Sequence, residues 1–167
     1  NLRNEHYANG DAIPGELSND DWLNTTFGAQ VIYDNDTENE VLFGRLYNGY
    51  AIVDTRNVCP NSWHVPTADD WYELENGLGG SSVAGHSMKS SANDIPPWDG
   101  SNESGFFGSA GGLRWENGSF ERLNQSGYWW FSDGIHDQRL YGASNALAGT
   151  SNDVEMGFSV RCIKDSE

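Results

Sequence analysis

Gly127-Tyr-Trp-Trp-Phe131 sets four consecutive aromatics in a stretch with no helix signal, and it decides how the rest of the chain is read. Around it lie Leu113-Arg-Trp115, Ser119-Phe-Glu-Arg122, Arg139-Leu-Tyr141 and Gly157-Phe-Ser-Val-Arg-Cys162, each a short apolar or aromatic run punctuated by Gly, Ser, Asn or Pro. That punctuation predicts short antiparallel strands joined by ordered loops from Gly79 onward. Side-chain alternation along a strand lets only one of Trp129 and Trp130 point inward, so Trp130 is expected to face the loops.

The first half reads differently. Ser18-Asn-Asp-Asp21 before Trp22 and Leu23 predicts one capped helical turn within an ordered wrap from Leu2 to Phe27, and Gln30-Val-Ile-Tyr33 predicts a strand. Leu42, Leu46, Tyr47, Tyr50 and Val53 recur at near-helical spacing, predicting a helix over 41–53. Thr67-Ala-Asp-Asp70 has the form of a capping box, Trp71, Leu74 and Leu78 follow at helical intervals, and Gly77 supplies the stop. The expected class is therefore α+β, with two early helices, a late twisted sheet and long loops. The 167 residues are expected to form a single unit, 1–167.

Composition narrows function. Hydrophobic residues are 37% and aromatics 13% of the chain, enough for a packed core. The net charge of −16 repels nucleic acid and anionic lipid, and no run of apolar residues is long enough to span a membrane. Asn1 to Asn9 lacks the basic start and apolar stretch of a signal peptide, as expected of a module cut from a longer exported protein. Cys59 and Cys162 are too far apart for a C-x-x-C redox or zinc knuckle; an even count in an acidic, Lys-poor chain favours a disulfide over two buried thiols.

Several phrases resemble one family in order and over nearly the whole chain: Asn1-Leu-Arg, Tyr7-Ala-Asn-Gly-Asp-Ala-Ile-Pro14, Phe43-Gly-Arg-Leu-Tyr-Asn48, Cys59-Pro-Asn-Ser-Trp-His-Val-Pro66, Asn102-Glu-Ser-Gly-Phe106, Gly111-Gly-Leu-Arg114, Gly127-Tyr-Trp-Trp130 and Gly157-Phe-Ser-Val-Arg-Cys162. They resemble the Fibrobacter succinogenes major paralogous domain. The resemblance implies a C-type-lectin-like fold related to that of formylglycine-generating enzymes, a Cys59–Cys162 disulfide, and a place in secreted or surface-anchored bacterial proteins with no catalytic signature. Gly49 stands where that family usually has an aromatic, which is expected to loosen helix packing. Asp133 also departs from the pattern, and the likeness fades from Ser132 to Asp153, where ligand specificity is expected.

Calcium requires six to eight oxygens gathered by turning loops. Asp133, Asp137, Asn152, Asp153 and Glu155, on two loops flanking adjacent strands, are the expected ligands. The acidic loop of Asp34, Asn35, Asp36 and Glu38 and the group Asn93, Asp94, Asp99, Asn102 and Glu103 are lesser candidates. Trp98, on the Pro-flanked loop Ile95-Pro-Pro-Trp-Asp-Gly100, is expected to contact ligand together with Asp99, Trp130, His136, Gln138 and Tyr141. Trp63, Trp71, Trp115 and Trp129 are read as mostly core, and His64 as a satisfied core or second-layer histidine. The expected function is a non-enzymatic, calcium-dependent adhesin module. It would be monomeric and extracellular, and would recognise a glycan or a peptide carboxy-terminus on a neighbouring surface. A metal-free spacer or protein-interaction domain is the alternative, and an enzyme of the formylglycine-generating type a second.

Overall fold

A computed structural model describes residues 1–166. The opening wrap carries α1 (Asn19–Leu23), whose N-cap Ser18 accepts a hydrogen bond from the Asp21 amide at 3.1 Å. Strand β1 (Gln30–Ile32) and a single 3-10 turn (Tyr33–Asn35) follow. The acidic loop then becomes a helix, α2 (Thr37–Phe43), because Asp36 accepts from the Glu38 amide and caps it. The single helix expected over 41–53 does not exist. Gly44, at φ 78°, stops α2 in a conformation open to glycine, and the chain continues as β2 (Arg45–Asn48) and then α3 (Gly49–Ile52). All four residues of β2 are buried. A strand covered on both faces has continuous rather than alternating hydrophobicity, and here its residues fell by chance on a helical period. Asn48 makes the turn from strand to helix, with Oδ1 accepting from the Ala51 and Ala29 amides at 3.0 and 2.9 Å.

Strand β3 (Trp63–His64) precedes α4 (Ala68–Gly77), where the capping box forms as expected: Thr67 Oγ1 accepts from the Asp70 amide while Asp70 accepts from the Thr67 amide. A short helix, α5 (Ala84–Met88), follows; it has no side-chain cap, hence no start signal in the sequence. Five of the seven remaining strands fall near the expected segments: β4 (Gly111–Arg114), β5 (Phe120–Leu123), β6 (Ser126–Trp130), β7 (Asp137–Tyr141) and β9 (Gly157–Phe158). The other two, the two-residue β8 (Leu147–Ala148) and β10 (Ile163–Lys164), lie outside them.

The main sheet runs β1-β2-β9-β4-β6-β7-β8, with β5 paired to β4, while β10 pairs with β3 apart from it. Pairing is antiparallel except between β4 and β6, which meet in parallel at Gly112 and Gly127. Both glycines are required there. A Cβ on Gly112 would lie 2.5 Å from the Glu121 carbonyl oxygen, and one on Gly127 would lie 2.6 Å from that of Ser109.

Trp129 and Trp130 are both fully buried, which corrects the expectation that Trp130 faces the loops. The sheet is covered on both sides, so alternation sends the two indoles into different layers. Trp130 packs at a tilt on Phe158, with centroids 4.5 Å apart, and donates from Nε1 to the Tyr47 carbonyl; Trp129 packs with Trp71, Met88 and Leu140. Arg114 is buried too, its guanidinium over the rings of Trp22 and Phe120 and donating to the carbonyls of Gly118 and Leu17. Desolvation lowers its pKa to about 10. This buried cation ties the opening wrap to the sheet.

Cys59 and Cys162 are joined, linking the segment before β3 to that before β10 across 103 positions. Replacing both by Ala should lower the unfolding free energy by about 4 kcal/mol, as expected for release of a loop near 100 residues. Urea denaturation checks this, and a loss under about 1 kcal/mol would show that packing alone closes the fold.

His64 is half-exposed rather than core, lying between Asp165 (Nδ1, 2.7 Å) and Asp70 (Nε2, 3.2 Å). The hydrogen bond to Asp165, aided by Asp70, raises its pKa above the ordinary 6.5. The stability it contributes is thus fully present below the unfolded pKa and is lost as pH rises through the folded one. As pH rises above about 6.5 and through the raised folded pKa, the wild-type melting temperature should fall more steeply than that of His64→Gln; identical slopes would remove His64 from the linkage.

Candidate ligand-binding site

The divergent segment is organised by β7. Asp137 and Arg139, two apart on a strand, share a face and form a bidentate pair, with Nε to Oδ2 at 2.7 Å and Nη2 to Oδ1 at 2.8 Å. Asp137 is fully buried and also accepts from Asn152 Nδ2 (2.9 Å) and the Thr150 amide (3.2 Å). Arg139 Nη2 returns to Asn152 Oδ1 at 3.3 Å. The three side chains therefore close a planar polar network that fixes the 150–152 loop onto the strand. Asp133 turns the preceding loop, accepting from the amides of Ile135 and His136 and from His136 Nδ1 (2.7 Å). Desolvation pushes its carboxyl up, but the hydrogen bonds from His136 and Ile135 outweigh it and leave the pKa below the ordinary value.

Gly49 is what lets these loops close. A Cβ there would sit 2.4 Å from the Gly134 carbonyl oxygen, and the Gly49 amide donates to the Val154 carbonyl at 2.7 Å. Rather than loosening helix packing, the missing side chain makes room for both divergent loops against α3. Glu155 is then met by the Tyr50 hydroxyl at 3.0 Å.

Between the β4–β5 hairpin and the 151–156 segment opens a cleft lined by Trp115, Glu116, Ser151, Asn152, Asp153 and Met156.

 The cleft's volume is 340 Å³, and its walls are mainly polar. Trp115, read from sequence as core, is only partly buried and forms one wall. Arg139 was not singled out from sequence either, although its spacing from Asp137 is the signal that could have found it.

The expected calcium ligands are not brought together. Among the described residues no group of three or more His, Cys, Asp or Glu side chains is placed to hold a metal ion. Asp137 is neutralised by Arg139, Asn152 presents its amide to Asp137, Glu155 faces Tyr50 and Asp133 faces His136, so four of the five expected ligands are engaged elsewhere and, with Asp153, are not gathered into a Ca²⁺ shell. Of the lesser candidates, Asp36 caps α2, and Asp94 accepts from the Ser91 amide and Asn102.

The other expected contact residues scatter. Trp98 is half-buried against Trp129 and its neighbours, with the ammonium of fully buried Lys89 5.5 Å from its ring centroid. Asp99 pairs with Lys89 at 2.7 Å and accepts from the Ala143 amide. Partial desolvation raises its pKa, but these partners hold it below the ordinary value. Trp98 and Asp99 thus anchor their loop to the 141–144 turn. Gln138 is buried and donates to the Ala148 carbonyl; Tyr141 is half-buried, its hydroxyl meeting Arg139; Trp130 is core. Of the six expected contact residues, Asp99 and His136 are the exposed ones.

The chain is thus a mixed α/β protein with few helices, a mostly antiparallel sheet and one disulfide. The model of the Fibrobacter succinogenes major domain family matches residues 1–164, and the chain belongs to that family. No curated protein and no solved structure matches it.

Asp137→Asn should cost about 3 kcal/mol, because it leaves the Arg139 charge without its buried partner. Asp133→Asn, at an exposed pair, should cost under about 1 kcal/mol. Urea unfolding of the two variants checks this, and equal losses would contradict the assignment of Asp137 to the framework.

Proposed function

We propose that this protein is an extracellular, non-enzymatic ligand-binding module of a bacterial surface protein, with a C-type-lectin-like frame, and that it binds a neutral saccharide directly in the Trp115–Asp153 cleft. The observation that carries this reading is the cleft itself: an indole wall facing hydroxyl, amide and carboxylate groups on loops pinned by the Asp137–Arg139–Asn152 network. Sugar rings offer apolar C–H faces to an aromatic and hydroxyls to such groups. Glu116 and Asp153 disfavour an anionic ligand, so a peptide carboxy-terminus fits this cleft less well than a glycan. No calcium is invoked, since Asp133, Asp137 and Glu155 already have partners and no three carboxylates are gathered beside the cleft among the described residues. The disulfide supports an oxidising compartment, and no helix among the described residues is long and apolar enough to cross a membrane.

A glycan array followed by calorimetry tests the reading. Trp115→Ala should weaken binding of the best glycan by about 1–3 kcal/mol through lost stacking area. Chelator should leave affinity unchanged. Affinity that vanishes with chelator, or is indifferent to Trp115, would sink the proposed site.

A further inference from the structure

A second cleft, of 320 Å³, lies beside the disulfide and away from the first. Pro66, Trp71, Leu74, Phe106 and Ile163 give it apolar walls, and among the described residues Arg161 and Asp70 are the charged side chains that line it. The two charges are not equivalent. Asp70 is committed to the Thr67 cap and to His64 Nε2, and it makes no ion pair with Arg161. Arg161 donates from Nε to Asn1 Oδ1 (2.9 Å) and from Nη2 to the Phe107 carbonyl (2.7 Å), and lies 4.6 Å from the centroid of Phe106. Neither acceptor is charged, and Nη1 donates to no protein acceptor among the described residues. Arg114 also lacks a carboxylate partner, but it is sealed under the rings of Trp22 and Phe120, whereas Arg161 borders a cleft; in a chain with 25 acidic residues against nine basic ones, a partly buried guanidinium left unpaired beside open space needs a reason.

From this juxtaposition of an unpaired guanidinium and apolar walls we infer that the cleft binds a small apolar carboxylic acid, its carboxylate on Arg161 and its aryl or branched alkyl group against Trp71, Leu74 and Phe106. The volume is at the lower end for small-molecule sites, about the size for one ring with a short acid tail. Water exclusion strengthens the charge pairing, as it also lowers the Arg161 pKa to about 10 when no anion is present. The same chemistry could be offered by a free acid or by the last residue of a peptide.

The test is an amide-shift NMR titration of the intact protein with 3-phenylpropionate, 3-phenylpropanamide and N-acetylphenylalanine. The acid should saturate shifts at Leu74, Gly105, Phe106 and Ile163, and the neutral amide should bind at least about tenfold more weakly, a difference of about 1.4 kcal/mol. Arg161→Gln should erase that preference. Because this variant removes two internal hydrogen bonds, Leu74→Trp, which fills the cleft from the helix side, provides the second test and should abolish binding of the acid. Tighter binding of N-acetylphenylalanine than of the free acid would assign the ligand to a chain end, and weaker binding to a free metabolite-sized acid. Equal binding of acid and amide, no saturable shift up to about 10 mM, or full binding by Leu74→Trp would overturn the inference. None of these outcomes depends on the Trp115 cleft.

Discussion

Burial of both faces of β6 is the constraint on which the rest of the structure depends. Trp129 and Trp130 are adjacent, both wholly buried, and must enter opposite layers. Each brings an indole N–H that needs an acceptor inside the protein. Trp130 finds the Tyr47 carbonyl on β2, and Trp129 finds the side chain of Asn1, which also accepts from Arg161 and donates to Phe43 and Ser159. The two indoles thereby tie the first residues, the early strand and the last segment to one central strand. Gly112 and Gly127 stand where β4 and β6 meet: a side chain on Gly127 would strike the Ser109 carbonyl just before β4, and one on Gly112 the Glu121 carbonyl of β5.

The same constraint explains what the sequence could and could not reveal. Helix α4 was legible because its signals are local: a capping box at Thr67 and Asp70, and apolar residues on one side. The late strands were legible from their punctuation. Strand β2 was not, because a segment buried on both faces loses the alternation that marks a strand, and Gly44 alone gives the stop its local sign. The direction of Trp130 was misjudged for the same reason, since alternation decides only which residues are opposed, not whether the second face meets solvent.

The candidate site was legible as a region and not as chemistry. The fading family likeness from Ser132 to Asp153 marked loops that do border the Trp115 cleft, through Asn152 and Asp153. Counting oxygens along those loops suggested calcium, but carboxylates are available to a cation only when no other charge has claimed them. Arg139 claims Asp137 from the same strand face, as Lys89 claims Asp99 across two loops. Proximity in sequence does not encode such claims except at the i, i+2 spacing of the first.

Basic residues are scarce enough that their placement divides the surface electrostatically. Arg45, Arg56, Lys89 and Arg139 are each consumed by carboxylates within 4.0 Å, and Arg114 is sealed under aromatic rings. The Trp115 cleft is left with Glu116 and Asp153 and no cation on its walls, which selects against anions and leaves uncharged hydroxyls as suitable partners. The cleft beside the disulfide is the opposite case, because its acid is committed to a helix cap while its guanidinium is not. Two clefts on one strongly acidic protein thus differ in the charge they accept, and what separates them is whether the local arginine or aspartate was already spent on holding the fold.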